Sequence, residues 1–145
     1  MLAAALWSAA LAAGEAAAAA PAAPHGLLLE YLPAPVLGVD VPKPRFSWGL
    51  SSTERSVVSA AYQVVVTTKA GAAVWDSGKV AGDASGQVEC GATLAGNTAY
   101  EWKVRWWSSG SSPSAYSAPA AFHTGPMAVA DWHGAVPIDL SLIHI

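Results

Sequence analysis

Tyr100-Glu101-Trp102-Lys103-Val104-Arg105-Trp106-Trp107 (YEWKVRWW) decides the fold of this 145-residue chain. In an extended strand successive side chains point to opposite faces, so Tyr100, Trp102, Val104 and Trp106 share one face. Glu101, Lys103, Arg105 and Trp107 share the other. An aromatic and aliphatic face backed by a mostly charged one is a strand with one buried side, and the first set is expected to be core. Ala61 to Val66 (AYQVVV) repeats the pattern, with Tyr62, Val64 and Val66 facing one way and Gln63 and Val65 the other.

Outward from these runs, turn-forming residues recur at the spacing of a sandwich: Pro33 to Gly38, Lys69-Ala70-Gly71, Gly82-Asp83, Ala95-Gly96-Asn97 and Ser108 to Pro113. No helical stripe competes between Gly26 and Thr124. Leu94, Thr98 and Tyr100 have the arrangement of a tyrosine corner, in which a phenol early in a late strand bonds back to the preceding loop. The expectation is an all-β chain: a fibronectin type III or immunoglobulin-like β-sandwich of about seven antiparallel strands. It spans residues 26–126, after an alanine-rich low-complexity leader at 1–25. Roughly 110 residues without the ends suffice for one core.

Several words at matching intervals resemble the N-terminal β-sandwich module of the bacterial-type α-L-rhamnosidases. They are Asp40 to Trp48 (DVPKPRFSW), AYQVVV, Trp75 to Val80 (WDSGKV), YEWKVRWW and Phe122 to Gly125 (FHTG). Asp131-Trp132 looks like the start of a following module, with 127–139 as linker. The resemblance implies a large inverting glycoside hydrolase that removes terminal α-L-rhamnose. Its catalytic carboxylates would lie in an (α/α) barrel far downstream, and this chain would be a non-catalytic, scaffolding fragment. Its partners would then be the downstream domains of the parent enzyme, with a rhamnose-containing glycan as a further contact. The competing reading is a free-standing secreted β-sandwich that binds a glycan or a protein.

Both ends are expected to lie outside that module. Leu140 to Ile145 reads as the translated end of a sequencing adapter, an artefact to be kept out of fold reasoning. Met1 to about Ala23 admits two readings: a secretory signal, or a weakly helical alanine tract that buries little. Secretion therefore stays open. Before Gly14-Glu15 the apolar run falls short of the ~18 residues a membrane span needs.

Composition narrows the chemistry. Seven basic residues against ten acidic ones give a net charge of -3, without the basic stripe of a nucleic-acid binder. The single Cys90 has no disulfide partner, and its alternating surroundings suggest a small, half-buried core residue. Inverting hydrolysis needs two carboxylates facing each other across a sugar, one of them held protonated. Glu30, Asp40, Glu54, Asp76, Asp83, Glu89 and Glu101 are available by type, but no spacing pairs any two, so no catalytic residue is assigned. Glu89 and Glu101 are expected to point outward, and Asp76 and Asp83 to flank turns. His25, His123, His133 and His144 are scattered, and no nucleophile elbow, zinc motif, phosphate loop or dinucleotide fingerprint is present. No metal and no cofactor are implied.

Seven tryptophans invite a carbohydrate reading. Trp48, Trp75, Trp102 and Trp106 fit the core better, given their alternation and large apolar area. Trp107 is the one candidate exposed platform, for a sugar ring or a neighbouring domain. The alternative is that the stems of Lys103 and Arg105 cover it. Asp76 and Ser77 before Gly78 read as turn formers, and Arg45 as an anchor between strand ends, paired with a carboxylate such as Asp40.

Overall fold

The computed structural model describes residues 20–136. Residues 1–19 of the leader and the presumed adapter tail, 140–145, lie outside that range. Ten strand segments form two facing sheets. The first sheet contains β1 (His25–Leu29), β2 (Leu32–Pro33), β4 (Arg45–Gly49) and β8 (Val88–Glu89), in the order β2-β1-β4-β8. The second runs β3 (Val36–Val39), β10 (Ala120–Thr124), β9 (Ala99–Ser108), β5 (Ser59–Thr68), β6 (Ala73–Asp76). A short β7 (Val80–Ala81) also pairs with β5.

Seven of these segments, β1, β4, β8 and β6, β5, β9, β10, make the two layers of the expected sandwich. The other three, β2, β3 and β7, are additions to those layers. One of them departs from an all-antiparallel arrangement: β3 pairs parallel to β10, with Phe122 opposite Val36. The Pro33–Gly38 stretch, read as a turn, thus overlaps both β2 and β3, and the chain passes from one sheet to the other between them.

The centre of the structure is the β5–β9 pair, two ten-residue strands in antiparallel register, with Val64 opposite Val104. Val64, Val66, Tyr100, Trp102 and Val104 face inward with Phe46, Trp48 and Phe122 from neighbouring strands. The face assignment for YEWKVRWW holds: Tyr100, Trp102, Val104 and Trp106 are all 4% exposed or less. Trp106 takes its inward place beside the entering chain, donating its indole N–H to the Ala22 carbonyl at 2.8 Å. Trp75 is only partly buried and packs on the core from its edge, stacked with Phe46. Cys90 is fully buried rather than half-buried, and burial pushes its thiol pKa up.

The tyrosine corner is present. The Tyr100 hydroxyl accepts the Ala95 N–H at 3.0 Å, closing the loop before β9. Asp76 is a turn former as expected: its Oδ1 accepts the Gly78 N–H at 2.8 Å. Arg45 departs from expectation. Its partner is Glu30, not Asp40, through Nη2 to Oε2 at 2.7 Å and Nε to Oε1 at 3.2 Å. Register explains the choice, because Leu29 pairs with Phe46 across β1 and β4 and so places Glu30 against Arg45. Asp40, which follows β3 in the other sheet, is exposed. Among the described residues no helix is long and apolar enough to cross a membrane.

Candidate functional site

The outer face of the β5–β9 pair carries a cluster of aromatic and cationic side chains. Its centre is Trp107. The structure does not leave this ring as an open platform: Trp107 is 8% exposed. The Arg105 guanidinium lies 5.0 Å and the Lys79 ammonium 4.9 Å from its ring centre. Covering by Arg105 matches the alternative reading of the sequence, but Lys103 is not the second cover. Its ammonium lies 4.6 Å from the Tyr116 ring, and Arg105 lies 4.8 Å from the same ring. The result is an alternating series, Lys79, Trp107, Arg105, Tyr116, Lys103, in which each ring has two cations within 5.0 Å of its centre and Arg105 is shared by both.

Backbone and side-chain bonds hold this series in place. Ser114 exchanges two hydrogen bonds with Trp106, giving its N–H to the Trp106 carbonyl at 2.9 Å and accepting the Trp106 N–H on Oγ at 3.1 Å. Ser117 does the same with Val104, at 2.8 and 3.1 Å. Three residues of the 114–117 segment therefore advance along two residues of β9, which sets Tyr116 outward beside Lys103 and Arg105. At the inner end, Arg105 Nε donates to Gln63 Oε1 at 2.9 Å, and Gln63 Nε2 donates to Asp76 Oδ1 at 2.7 Å. The Gln63 bond, then the Gly78 N–H, hold the Asp76 carboxyl below its ordinary pKa.

Lys79 and Tyr116 are the members that the sequence reading missed. The available signals were the Lys within WDSGKV and the tyrosine set between two serines three apart, Ser114 and Ser117.

The remaining carboxylates among the described residues are dispersed. Glu30 is held below its ordinary pKa chiefly by the Arg45 side chain. Asp131 is held low by the backbone N–H groups of Met127 and Ala128. Asp40, Glu54, Asp83 and Glu89 are exposed in separate loops or strand ends, and Glu101 is half-buried on β9. Where a carboxyl pKa shifts, it shifts downward, the opposite of what a general acid requires. A shallow depression between the entering chain and the Ser51–Glu54 loop contains one carboxylate, Glu54. Among the described residues no cluster of histidine, cysteine and acidic side chains could hold a metal ion.

A second feature lies at the far end of the sandwich. After β10 the chain makes a short 3-10 turn, Val129–Trp132, anchored by Asp131 and leaving Trp132 57% exposed.

Comparison with known proteins matches residues 24–128 to the model of the Rha78A-like, N-terminal immunoglobulin domain. A curated α-L-rhamnosidase of Streptomyces avermitilis is 39% identical over 109 residues, covering 72% of this chain and 10% of that protein. Among solved structures, α-L-rhamnosidase from Dictyoglumus thermophilum superposes with a TM-score of 0.70 at 34% identity, over 77% of this chain and 13% of that one. The Streptomyces avermitilis α-L-rhamnosidase complexed with L-rhamnose gives a TM-score of 0.70 at 35% identity, over 76% and 11%. The chain thus spans about a tenth of the relatives it matches.

Proposed function

The chain belongs to the Rha78A-like N-terminal immunoglobulin domains, and from that membership we propose that it is the non-catalytic N-terminal accessory module of a longer α-L-rhamnosidase. The observation that carries this reading is the unbroken match over the whole sandwich, 24–128, to a domain that forms only 10–13% of enzymes of that name. Hydrolysis of terminal α-L-rhamnose belongs to the remainder of such a protein. The carboxylates described here serve the module instead: Glu30 ties β1 to β4, and Asp76 closes a turn and orders Gln63.

The role of the module is to pack against later domains and position them. Trp107 fits this as a support, its ring faces taken up by Lys79 and Arg105, so that the surface offers ordered cations rather than a bare aromatic plane for a sugar. Residues 127–139 are the passage to the next domain.

The test begins with the source transcript. Its reading frame beyond Ile138 is recovered, and both the encoded protein and the 145-residue chain are assayed on an aryl α-L-rhamnoside. Activity in the longer protein and none in the short chain is the expected result. A frame that closes near Asp139, or hydrolysis by the short chain, would overturn the reading.

A further inference from the structure

We propose that the hollow formed by Val129, Trp132, Ala135 and Val136 is the seat of the domain that follows in the longer protein, held at a set angle by a clamp between Asp131 and the Gly96-Asn97 loop. This rests on the accessory-module reading above and names the surface through which that module acts.

The clamp is built from both sides. Asp131 Oδ2 accepts the N–H groups of Met127 and Ala128 at 2.8 and 2.9 Å, folding the chain back after β10. The Asp131 carbonyl accepts Asn97 Nδ2 at 2.8 Å, and the Asn97 N–H reaches the Gly125 carbonyl at 3.1 Å. The carboxylate of Asp131 occupies the space where any side chain on residue 96 would stand, so a Cβ there would collide with it. Thr124 adds a tie from inside, giving its hydroxyl to the Ala95 carbonyl at 2.7 Å and accepting the Thr98 N–H at 2.9 Å. The segment leaving the sandwich is therefore fixed to the same loop that the tyrosine corner closes.

A segment held this firmly could turn its apolar side chains inward, yet it turns them out. Val129 is 89% exposed, Val136 83% and Trp132 57%, and with Ala135 they line one concavity of apolar character. Contiguous exposed apolar surface around a tryptophan marks an interaction site, and tryptophan is among the residues that dominate binding energy once desolvated.

The occupant follows from position. The hollow begins at Val129, one residue past the end of the family match at 128. In the relatives this domain is N-terminal and nearly nine-tenths of the polypeptide lies outside it. The next domain thus emerges within a few residues of the hollow. So short a tether makes docking an intramolecular step with a high effective concentration, and a modest apolar patch suffices.

The test is hydroxyl-radical footprinting of Trp132, read by mass spectrometry, in the 145-residue chain and in the longer protein from the recovered frame. The expected result is strong labelling in the short chain and a several-fold drop in the longer protein. In the longer protein, Trp132→Ser should split unfolding into two transitions, and Gly96→Ala should restore Trp132 labelling by dislodging Asp131. The unfolding temperature of the short chain should not move with Trp132→Ser, which shows that the sandwich itself is intact. Equal labelling in both proteins overturns the docking proposal and leaves the accessory-module reading standing. Concentration-dependent protection in the short chain alone identifies a second copy as the occupant and also overturns it. A recovered frame without a following domain overturns both.

Discussion

Arg105 lies between two rings, 5.0 Å from the centre of Trp107 and 4.8 Å from that of Tyr116, so one guanidinium joins the end of β9 to the segment that runs alongside it. Its Nε is fixed by Gln63, which leaves the flat faces of the guanidinium for the rings. A lysine could not do both, because its ammonium is a point charge without a planar fork.

Arg105→Ala should therefore destabilise the module by about 1–2 kcal/mol, the sum of two partly exposed cation–π contacts. Denaturant midpoints measure the loss, and tryptophan emission should move to longer wavelength as Trp107 gains water. In the unaltered chain, added L-rhamnose should leave that emission unchanged. A saturable change abolished by Trp107→Phe would show that the ring contacts sugar after all.

Tyr100→Phe should cost about 1–3 kcal/mol, because the Ala95 N–H loses its acceptor in a part-buried loop while the ring itself still packs on Phe122. A shifted urea midpoint with unchanged slope is the expected signature. No shift would mean that water replaces the phenol without cost.

Gly91→Ala tests the packing around Trp75. A methyl at residue 91 would stand 2.9 Å from Trp75 Cε2 and 3.1 Å from Cζ2, so the indole must move off Phe46. Overpacking of this kind costs about 1–3 kcal/mol. The loss should shrink in a Trp75→Leu background, where the indole is no longer there to be displaced; equal losses in both backgrounds would rule out this contact as the cause.

Acid should weaken the module through Glu30 and Asp76. Both carboxyls titrate below their ordinary values of 4.5 and 3.8, Glu30 chiefly through the Arg45 side chain and Asp76 chiefly through Gln63. A lowered folded pKa means that the unfolded chain binds protons first as pH falls. The stabilisation is therefore complete above the ordinary values and is lost as pH drops through the folded ones. Exposure keeps each contribution small. Glu30→Gln should lower the unfolding temperature slightly at neutral pH and leave it unchanged in strong acid, which flattens the acid limb of a plot of unfolding temperature against pH. An unaltered acid limb would show that the Glu30–Arg45 pair contributes nothing.

Much of the module was legible because its strands are long and one-sided. Over the ten residues of β9, the side-chain alternation separates a core face from an outer one without reference to any partner, and Tyr100 announces its corner through local spacing. Short segments carry no such pattern. The two-residue strands β2, β7 and β8 exist because a neighbour pairs with them, and β3 was masked by the prolines around it. Arg45 illustrates the same limit at a single residue. Both Glu30 and Asp40 were available in sequence, and the β1–β4 register chose between them.

The sequence by itself determined the all-β class, the inward face of the two central strands and, through its sequence words, the resemblance to the rhamnosidase module. Those are local properties, written in period and spacing. Only the tertiary structure decided that Trp107 is covered, that Lys79 and Tyr116 complete its surroundings, and that Asp131 clamps the exit segment so that Trp132 faces outward. Each of these depends on groups separated in the chain: 28 residues between Lys79 and Trp107, 11 between Arg105 and Tyr116, and 34 between Asn97 and Asp131. Spacing in sequence does not report a cation placed over a ring by a distant loop, or a carboxylate seated where a glycine leaves room.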